Sequence, residues 1–255
     1  MKLQNMSAVV TGAASGLGAA TAARLAAQGV HVLGIDLAAS IEAAGTPPER
    51  VQYRSADVTD EQQVAEALTA LESHTIPPLR LAVNCAGIAP ARRLLSSRGV
   101  HDLETFQRTI NINLVGTFNV LRLAAERMAA QDPLDESGQR GVIVNTASVA
   151  AYEGQIGQVA YAASKGGVVA MGIAAARDLA RSGIRVNTIA PGVVETPMLA
   201  GLGAEVSDAL AASVPFPHRL ARPDEFAQLV TMIAEHDYLN GETIRMDGAL
   251  RMPPQ

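Results

Sequence analysis

The sequence is short of cysteine, and that scarcity excludes a good deal. Cys85 is the only cysteine in 255 residues, so neither a disulfide framework nor a thiolate zinc site can be built. His31, His74, His101, His218 and His236 are scattered, with no pair at metal-ligand spacing. No metal centre is expected. The 20 basic residues are outnumbered by 25 acidic ones and form no long run. That argues against a phosphate-tracking surface, and so against nucleic acid as the main partner. Long apolar runs are missing too. The longest, "GGVVAMGIAAA", ends at Arg177 and Asp178 and is too short to span a bilayer. The opening "MKLQNMSAVVTG" is too polar for a secretory signal and too poor in arginine for a transit peptide. No membrane association is expected, and the lone cysteine suits the cytoplasm.

What is present supports a large core: 48% of residues are hydrophobic and only 18% charged. Short apolar runs, "SAVVTG", "VHVLGID", "RLAVNCAG", "GVIVNTAS" and "IRVNTIAPG", read as strands. They lack strict alternation, as parallel strands buried on both faces do. "VQYRSADV" is a weaker strand and "ETIRMDG" a late one. Helical patterns lie between them, near 16–28, 60–72, 102–130, 157–181 and 223–235. Asp60 and Asp224 are candidate helix starts, Gly29 and Gly183 candidate stops. Repeated β-α alternation without a low-complexity linker predicts one α/β domain over 1–255. Its core is a doubly wound parallel sheet of the Rossmann-like three-layer type. Ligands of such sheets bind beyond the C-terminal strand ends.

The unusual residues fall at those ends. "TGAASGLG" (11–18) joins the first strand to the first helix. Its glycines, Gly12, Gly16 and Gly18, depart from the strict G-x-G-x-x-G spacing. The physical logic is unchanged: a tight turn, close backbone approach to a pyrophosphate, and a helix N-terminus facing the anion. Asp36 ends the second strand and is placed to accept hydrogen bonds from adenosine ribose hydroxyls. It would repel a 2′-phosphate, and no arginine stands nearby: Ser15 occupies the turn and Leu37 follows Asp36. NAD is therefore expected rather than NADP. Asp57, after the third strand, is positioned for the adenine amine with the Val58 backbone beside it, although Asp is also common in turns.

Ser148 ends the "GVIVNTAS" strand, and Tyr161 and Lys165 follow in "YAASK" at i, i+4 spacing on one helix face. A free tyrosine titrates near pH ~10. A lysine cation about 4 Å away, at an effective dielectric of ~20, is worth at most ~4 kcal/mol, or about three pKa units. An oxidised nicotinamide nearby pushes the same way, and the expectation is a phenol tuned downward for proton exchange near neutrality, with Ser148 orienting the substrate oxygen and Lys165 holding the nicotinamide ribose. The pentapeptide alone also fits an ordinary helix surface; the strand-end serine and the glycine turn decide for catalysis. Asn113, in "TININLVG" on the long helix, shares a face with Ile110, Leu114 and Thr117. A buried amide there needs partners. Its carbonyl is placed to bind a water touching Lys165, or the amide stabilises a helix kink, and the two roles are compatible. Ala163, Gly167, Ala170 and Ala174 form a small-residue stripe on the catalytic helix, which predicts close helix packing, within the chain or across a subunit boundary. Without a G-x-S-x-G elbow, Ser148 does not suit an acyl hydrolase. A non-catalytic NAD-binding scaffold would have no need of the serine, tyrosine and lysine.

Together these motifs resemble the short-chain dehydrogenase/reductase family over the whole chain. "TGAASGLG" is similar to its TGxxxGxG turn. "NCAG" (84–87) resembles its NNAG motif, with Cys85 in place of the second asparagine. Ser148, Tyr161, Lys165 and Asn113 match its catalytic tetrad, and Pro191–Gly192 its nicotinamide-side turn. The stretches "RGVIVNTASVAAYEGQIGQVAYAASKGG", "VPFPHRL" and "LNGETIRMDGALRM" resemble a subgroup that oxidises 3-hydroxyacyl-CoA, among other secondary alcohols, with NAD, as homotetramers. The resemblance implies that Ser15, Leu17, Asp36, Asp57, Val58, Cys85, Ala86, Gly87, Tyr161, Lys165 and Val194 line the NAD site and that Thr196 reaches the nicotinamide amide. It implies a substrate lid over 193–220. Gln155 and Gln158 approach the substrate or lie in a solvated loop. Arg92, Arg93 and Arg98 meet CoA phosphates or form a solvated basic loop. Hydroxysteroid dehydrogenases and 3-oxoacyl carrier-protein reductases are the competing activities; Asp36 argues against the NADPH-dependent reductase.

Overall fold

In the computed structural model, which describes residues 1–97, 99–200 and 203–254, seven parallel strands form one sheet in the order β3-β2-β1-β4-β7-β8-β9. They are β1 (Ser7–Thr11), β2 (His31–Asp36), β3 (Val51–Ser55), β4 (Leu79–Asn84), β7 (Gly141–Thr146), β8 (Ile184–Pro191) and β9 (Thr243–Met246). A two-stranded hairpin, β5 (Leu95–Ser96) with β6 (Gly99–Val100), stands apart. Every residue of β1, β4, β7 and β8 is buried, which is why these strands read as continuous apolar runs rather than alternating ones. One apolar core lies on each face of the sheet, around Leu25 and Phe226 on one side and Val120 and Met128 on the other.

The helices follow the strands: α1 (Gly16–Ala27), α2 (Ala38–Ala44), α3 (Glu61–Leu68), α4 (Leu103–Ile110), α5 (Gly116–Ala129), α6 (Val159–Asp178), α7 (Pro197–Ala200), α8 (Ala204–Ser213) and α9 (Pro223–Glu235). Asp60 caps α3 as expected, accepting from the N–H groups of Gln62 and Gln63. Asp224 is not a cap. Pro223 already occupies the first helical position after Arg222, as proline's fixed φ favours, and this places Asp224 within the first turn. The helix expected over 102–130 is present, running without a break from Leu103 to Ala129. Asn111–Val115 forms a π turn between α4 and α5, a local widening that tends to mark functional sites. Helix α2 gave no signal in the sequence because none of its residues is buried.

The sheet order runs outward in opposite directions from β1 and β4. Between their C-terminal ends lies the topological switch point, where open α/β sheets bind ligands.

Candidate active site

The glycine turn closes against the far side of this crevice. Gly12 and Gly16 have φ of +64° and +51°, the region that penalises a Cβ. A Cβ on Gly12 would lie 3.0 Å from the Ala86 nitrogen, and one on Gly18 would overlap the Gly12 carbonyl oxygen. Thr11 fixes the facing loop: its Oγ1 accepts from the N–H groups of Cys85 and Ala86, both at 3.1 Å. Asp36 sits at the rim. Its carboxylate accepts from the Ala14 N–H at 3.0 Å and the Leu37 N–H at 2.8 Å, so the acid is oriented by the turn itself. Thr196 comes to the same place, 3.4 Å from where a Gly16 Cβ would stand. Asp57 accepts from the Thr59 N–H and hydroxyl through Oδ1, and the Val58 carbonyl accepts from the Asn119 amide at 2.9 Å. This cradle, with no room for side chains where a pyrophosphate backbone would pass and an acid at the end of β2, fits a nicotinamide dinucleotide.

Across the crevice, Ser148 begins the short 3-10 turn Val149–Ala151, its Oγ accepting from the Ala150 N–H at 3.2 Å. Ser148 is close enough to the Tyr161 phenol to act on its proton affinity. Lys165 is buried and donates from Nζ to the Thr146 carbonyl at 2.7 Å, with Nζ 5.8 Å from the centre of the Tyr161 ring. The tuning expected from lysine is therefore corrected for the cofactor-free chain. Burial pushes the Tyr161 phenol above its ordinary value of 10.0, and Ser148 pulls only partly the other way. Lysine does not lower it, because the ammonium is turned onto the strand carbonyl and is itself desolvated. Burial brings Lys165 down from 10.5 to about 8. Cys85 is also in this pocket, its sulfur accepting from the Thr146 hydroxyl at 3.6 Å. Burial raises its thiol to about 11, so it is an inert wall and not a nucleophile.

Asn113 is completely buried on the π turn. Its Oδ1 accepts from the Ile88 N–H at 2.8 Å, and its Nδ2 donates to the Ile88 carbonyl at 2.8 Å and to Ser164 Oγ at 3.0 Å. Its main-chain carbonyl accepts from Thr117 Oγ1 at 2.7 Å. These bonds make Asn113 a brace at the helix distortion, and each of its oxygens keeps a second lone pair. The brace ties the 85–88 loop to α6. A Cβ on Gly87 would lie 3.0 Å from Asn113 Oδ1 and 3.6 Å from Lys165 Nζ, which accounts for glycine there.

The other expected residues divide. Pro191 ends β8, and Gly192 abuts Asp247 so closely that a Cβ would lie 3.0 Å from its Cα. Val194 is buried and bridged to Ala221, anchoring the segment that carries Thr196. Gln155 gives its side-chain amide to the Pro253 carbonyl at 3.2 Å, and Gln158 Oε1 accepts from the Gln155 N–H at 3.1 Å; both glutamines thus bind the protein's own loop and tail. Arg92 pairs with Asp102 at 2.9 Å. Arg93 is exposed, and Arg98 lies outside the described residues. Sequence reasoning passed over Thr11, Thr146 and Ser164. All three lie inside quoted stretches, but only the fold shows what their hydroxyls touch.

A switch-point nucleotide cradle facing a Ser-Tyr-Lys proton-transfer group defines an oxidoreductase that acts on a CH–OH group. The short chain dehydrogenase family model matches residues 6–207, and the chain belongs to that family. It is 53% identical over 256 residues to the 3-hydroxyacyl-CoA dehydrogenase type-2 of Drosophila melanogaster, covering 99% of this chain and 100% of that one. To the Homo sapiens protein of the same name it is 52% identical, covering 99% and 97%. The crystal structure of 3-hydroxyacyl-CoA dehydrogenase type-2 from Mycobacterium avium superposes with a TM-score of 0.89 at 44% identity, covering all of both chains.

Proposed function

We propose that this protein catalyses the reversible NAD-dependent oxidation of 3-hydroxyacyl-CoA to 3-oxoacyl-CoA. The observation that carries the reading is the convergence of Ser148, Tyr161 and Lys165 on the glycine cradle, in a chain about half identical to 3-hydroxyacyl-CoA dehydrogenase type-2 relatives. A nicotinamide cofactor, when bound, supplies the hydride acceptor. The protein's residues bind, orient and move the proton. Gly12, Gly16 and Gly18 admit the pyrophosphate, and Asp36 accepts from ribose hydroxyls and repels a 2′-phosphate, selecting NAD. Ser148 Oγ hydrogen-bonds the substrate oxygen. Tyr161 Oη takes the alcohol proton in oxidation and returns it in reduction. Burial keeps the phenol protonated at neutral pH in the cofactor-free chain, the form that acts as the acid in reduction; in oxidation the phenolate must form first, which Ser148 favours and the positive charge of an oxidised nicotinamide would favour further. Residues 193–220 serve as the lid, and Arg93 is the described loop arginine available to CoA phosphates.

The same proposal includes a homotetramer in the cytoplasm, without membrane association. Helix α6, 20 residues long, is apolar and long enough to cross a membrane by composition, longer than the run visible in the sequence. However, its Lys165 edge is buried on β7. On the stripe, Gly167 packs against Leu114, while Ala163, Ala170 and Ala174 are exposed beside Ile173. An exposed face of small residues suits a second copy of the helix.

The test follows NADH absorbance with acetoacetyl-CoA, with NADPH in parallel, for the wild type and Tyr161→Phe. We expect rapid NADH oxidation, much weaker NADPH use, and a loss of about 10²-fold or more in the variant. Absence of turnover on acyl-CoA, with turnover of steroids or simple ketones, would overturn the substrate assignment.

A further inference from the structure

The segment between Ser148 and the start of α6 at Val159 carries no regular structure beyond the 3-10 turn Val149–Ala151, yet it must hold two catalytic side chains in register. The structure shows what restrains it. Glu153, five residues after Ser148 in the chain, receives a two-pronged bond from Arg245, with Nη1 on Oε1 and Nη2 on Oε2, both at 3.0 Å. Such forks fix orientation as well as distance. Arg245 stands on β9 and also donates from Nε to Asp247 at 2.7 Å and from Nη2 to the Leu250 carbonyl at 3.1 Å. Its guanidinium lies 5.2 Å from the centre of the Tyr152 ring. Arg251 joins both carboxylates, at 3.4 Å from Glu153 and 3.1 Å from Asp247, so two cations and two anions balance.

The C-terminal segment runs along this loop. The Ile156 N–H donates to the Pro254 carbonyl at 3.0 Å, Gln155 to the Pro253 carbonyl at 3.2 Å, and the Met252 N–H to Glu153 at 3.3 Å. At its other end the segment meets the base of the lid. The Phe216 N–H donates to the Gly248 carbonyl at 3.3 Å. Gly248 has φ +58°, and a Cβ there would lie 2.6 Å from Val214 and 3.0 Å from the Phe216 carbonyl oxygen. Behind the lid base a cavity of about 420 Å³ opens, lined by Val214, Arg219, Met246, Asp247 and Gly248 among others. The lid base is held there by its contact with the tail and, across the cavity, by the Arg219 fork to Glu225 at 2.9 and 2.7 Å.

We propose that residues 247–254 form a strut between the catalytic loop and the lid base, latched by Arg245 and Glu153, and that this latch sets which acyl chains the site accepts. Arg245 and Glu153 are positioning residues: neither contacts Ser148, Tyr161 or Lys165 directly, and they act through the loop. The proposal rests on the acyl-CoA reading for its substrate, but the strut itself is a claim about this chain alone.

The experiment compares wild type, Glu153→Gln and Arg245→Lys as full-length proteins. Glu153→Gln keeps the side-chain size and removes the charge; Arg245→Lys keeps the charge and removes the fork. Amide hydrogen exchange read by mass spectrometry should accelerate in both 152–158 and 249–254, with the sheet unchanged. In NADH-linked assays, KM for 3-oxoacyl-CoA should rise by about 10-fold or more for at least one chain length between acetoacetyl and 3-oxododecanoyl, so that the ratio of kcat/KM between lengths shifts. NADH affinity by fluorescence titration should stay within about 2-fold. Unchanged exchange in either segment would overturn the proposal. So would loosened exchange with an unaltered chain-length profile, or a parallel fall in every parameter including NADH affinity. A wild type that turns over no acyl-CoA would sink the substrate reading, and the exchange data would still decide the strut.

Discussion

Replacing Lys165 by methionine should change how stability depends on pH, and the size of the change follows from the site. Burial lowers the ammonium from 10.5 to about 8. In the window between those values the unfolded chain holds a proton on this lysine that the folded chain has lost. Stability rises with pH wherever the unfolded state binds more protons. The full penalty of the buried charge is therefore present below pH 8 and is relieved as pH rises towards 10.5. One pKa unit corresponds to about 1.4 kcal/mol, so the wild type should gain ~2 kcal/mol relative to K165M between pH 7 and about pH 9.5. The difference between the two proteins isolates this group apart from its coupling to Cys85, which is the smallest of the influences on that thiol. At a single pH the comparison is less direct: methionine removes the buried charge but leaves the Thr146 carbonyl without its donor, a loss of ~1–3 kcal/mol in the opposite direction. The assay is urea unfolding of cofactor-free protein at one fixed concentration across the pH series, since association alters apparent stability by mass action. A gap between wild type and K165M that stays flat from pH 7 to 9.5, or that moves against the wild type, would refute the buried-ammonium argument.

Three further outcomes are expected. In an ultraviolet difference titration of cofactor-free protein, wild type minus Tyr161→Phe, the extra tyrosinate should form only above the ordinary value of 10.0; its appearance near neutrality would restore the downward tuning by Lys165. Gly18→Ala forces a methyl into the Gly12 carbonyl, so NADH binding by fluorescence should be lost and stability should fall by ~1–3 kcal/mol; near-normal affinity would show that the turn has slack. Ala170→Glu places a charge on the exposed stripe of α6, and light scattering should report dissociation to smaller species at unchanged helix content. A tetramer that survives it does not use this face.

Much of the fold was legible because its determinants are local. Strands buried on both faces leave unbroken apolar runs, so β1, β4, β7 and β8 could be read directly, with their parallel order implied by the helices between them. The glycine turn, the strand-end Ser148 and the i, i+4 pair Tyr161 and Lys165 are fixed by backbone geometry over a few residues, and each stands where it was expected. The end of β2 likewise placed Asp36. Helix α2 was invisible for the complementary reason: with no buried face it has no periodicity to read.

What only the tertiary structure decided depends on distant partners. The sign of the Tyr161 shift was misjudged because i, i+4 spacing puts two side chains on one face without saying where their charged ends turn. The Thr146 carbonyl, 19 residues from Lys165, takes the ammonium, and burial then outweighs charge attraction. Asn113 is bound to Ile88 and Ser164, contacts spanning 25 and 51 residues, which no local pattern announces. Arg245 and Glu153 are 92 residues apart and look like ordinary surface charges in the sequence. Backbone periodicity therefore determined which elements form and which residues stand at their ends. Desolvation and the geometry of long-range hydrogen bonds, which exist only once the chain has folded, determined what those residues are able to do.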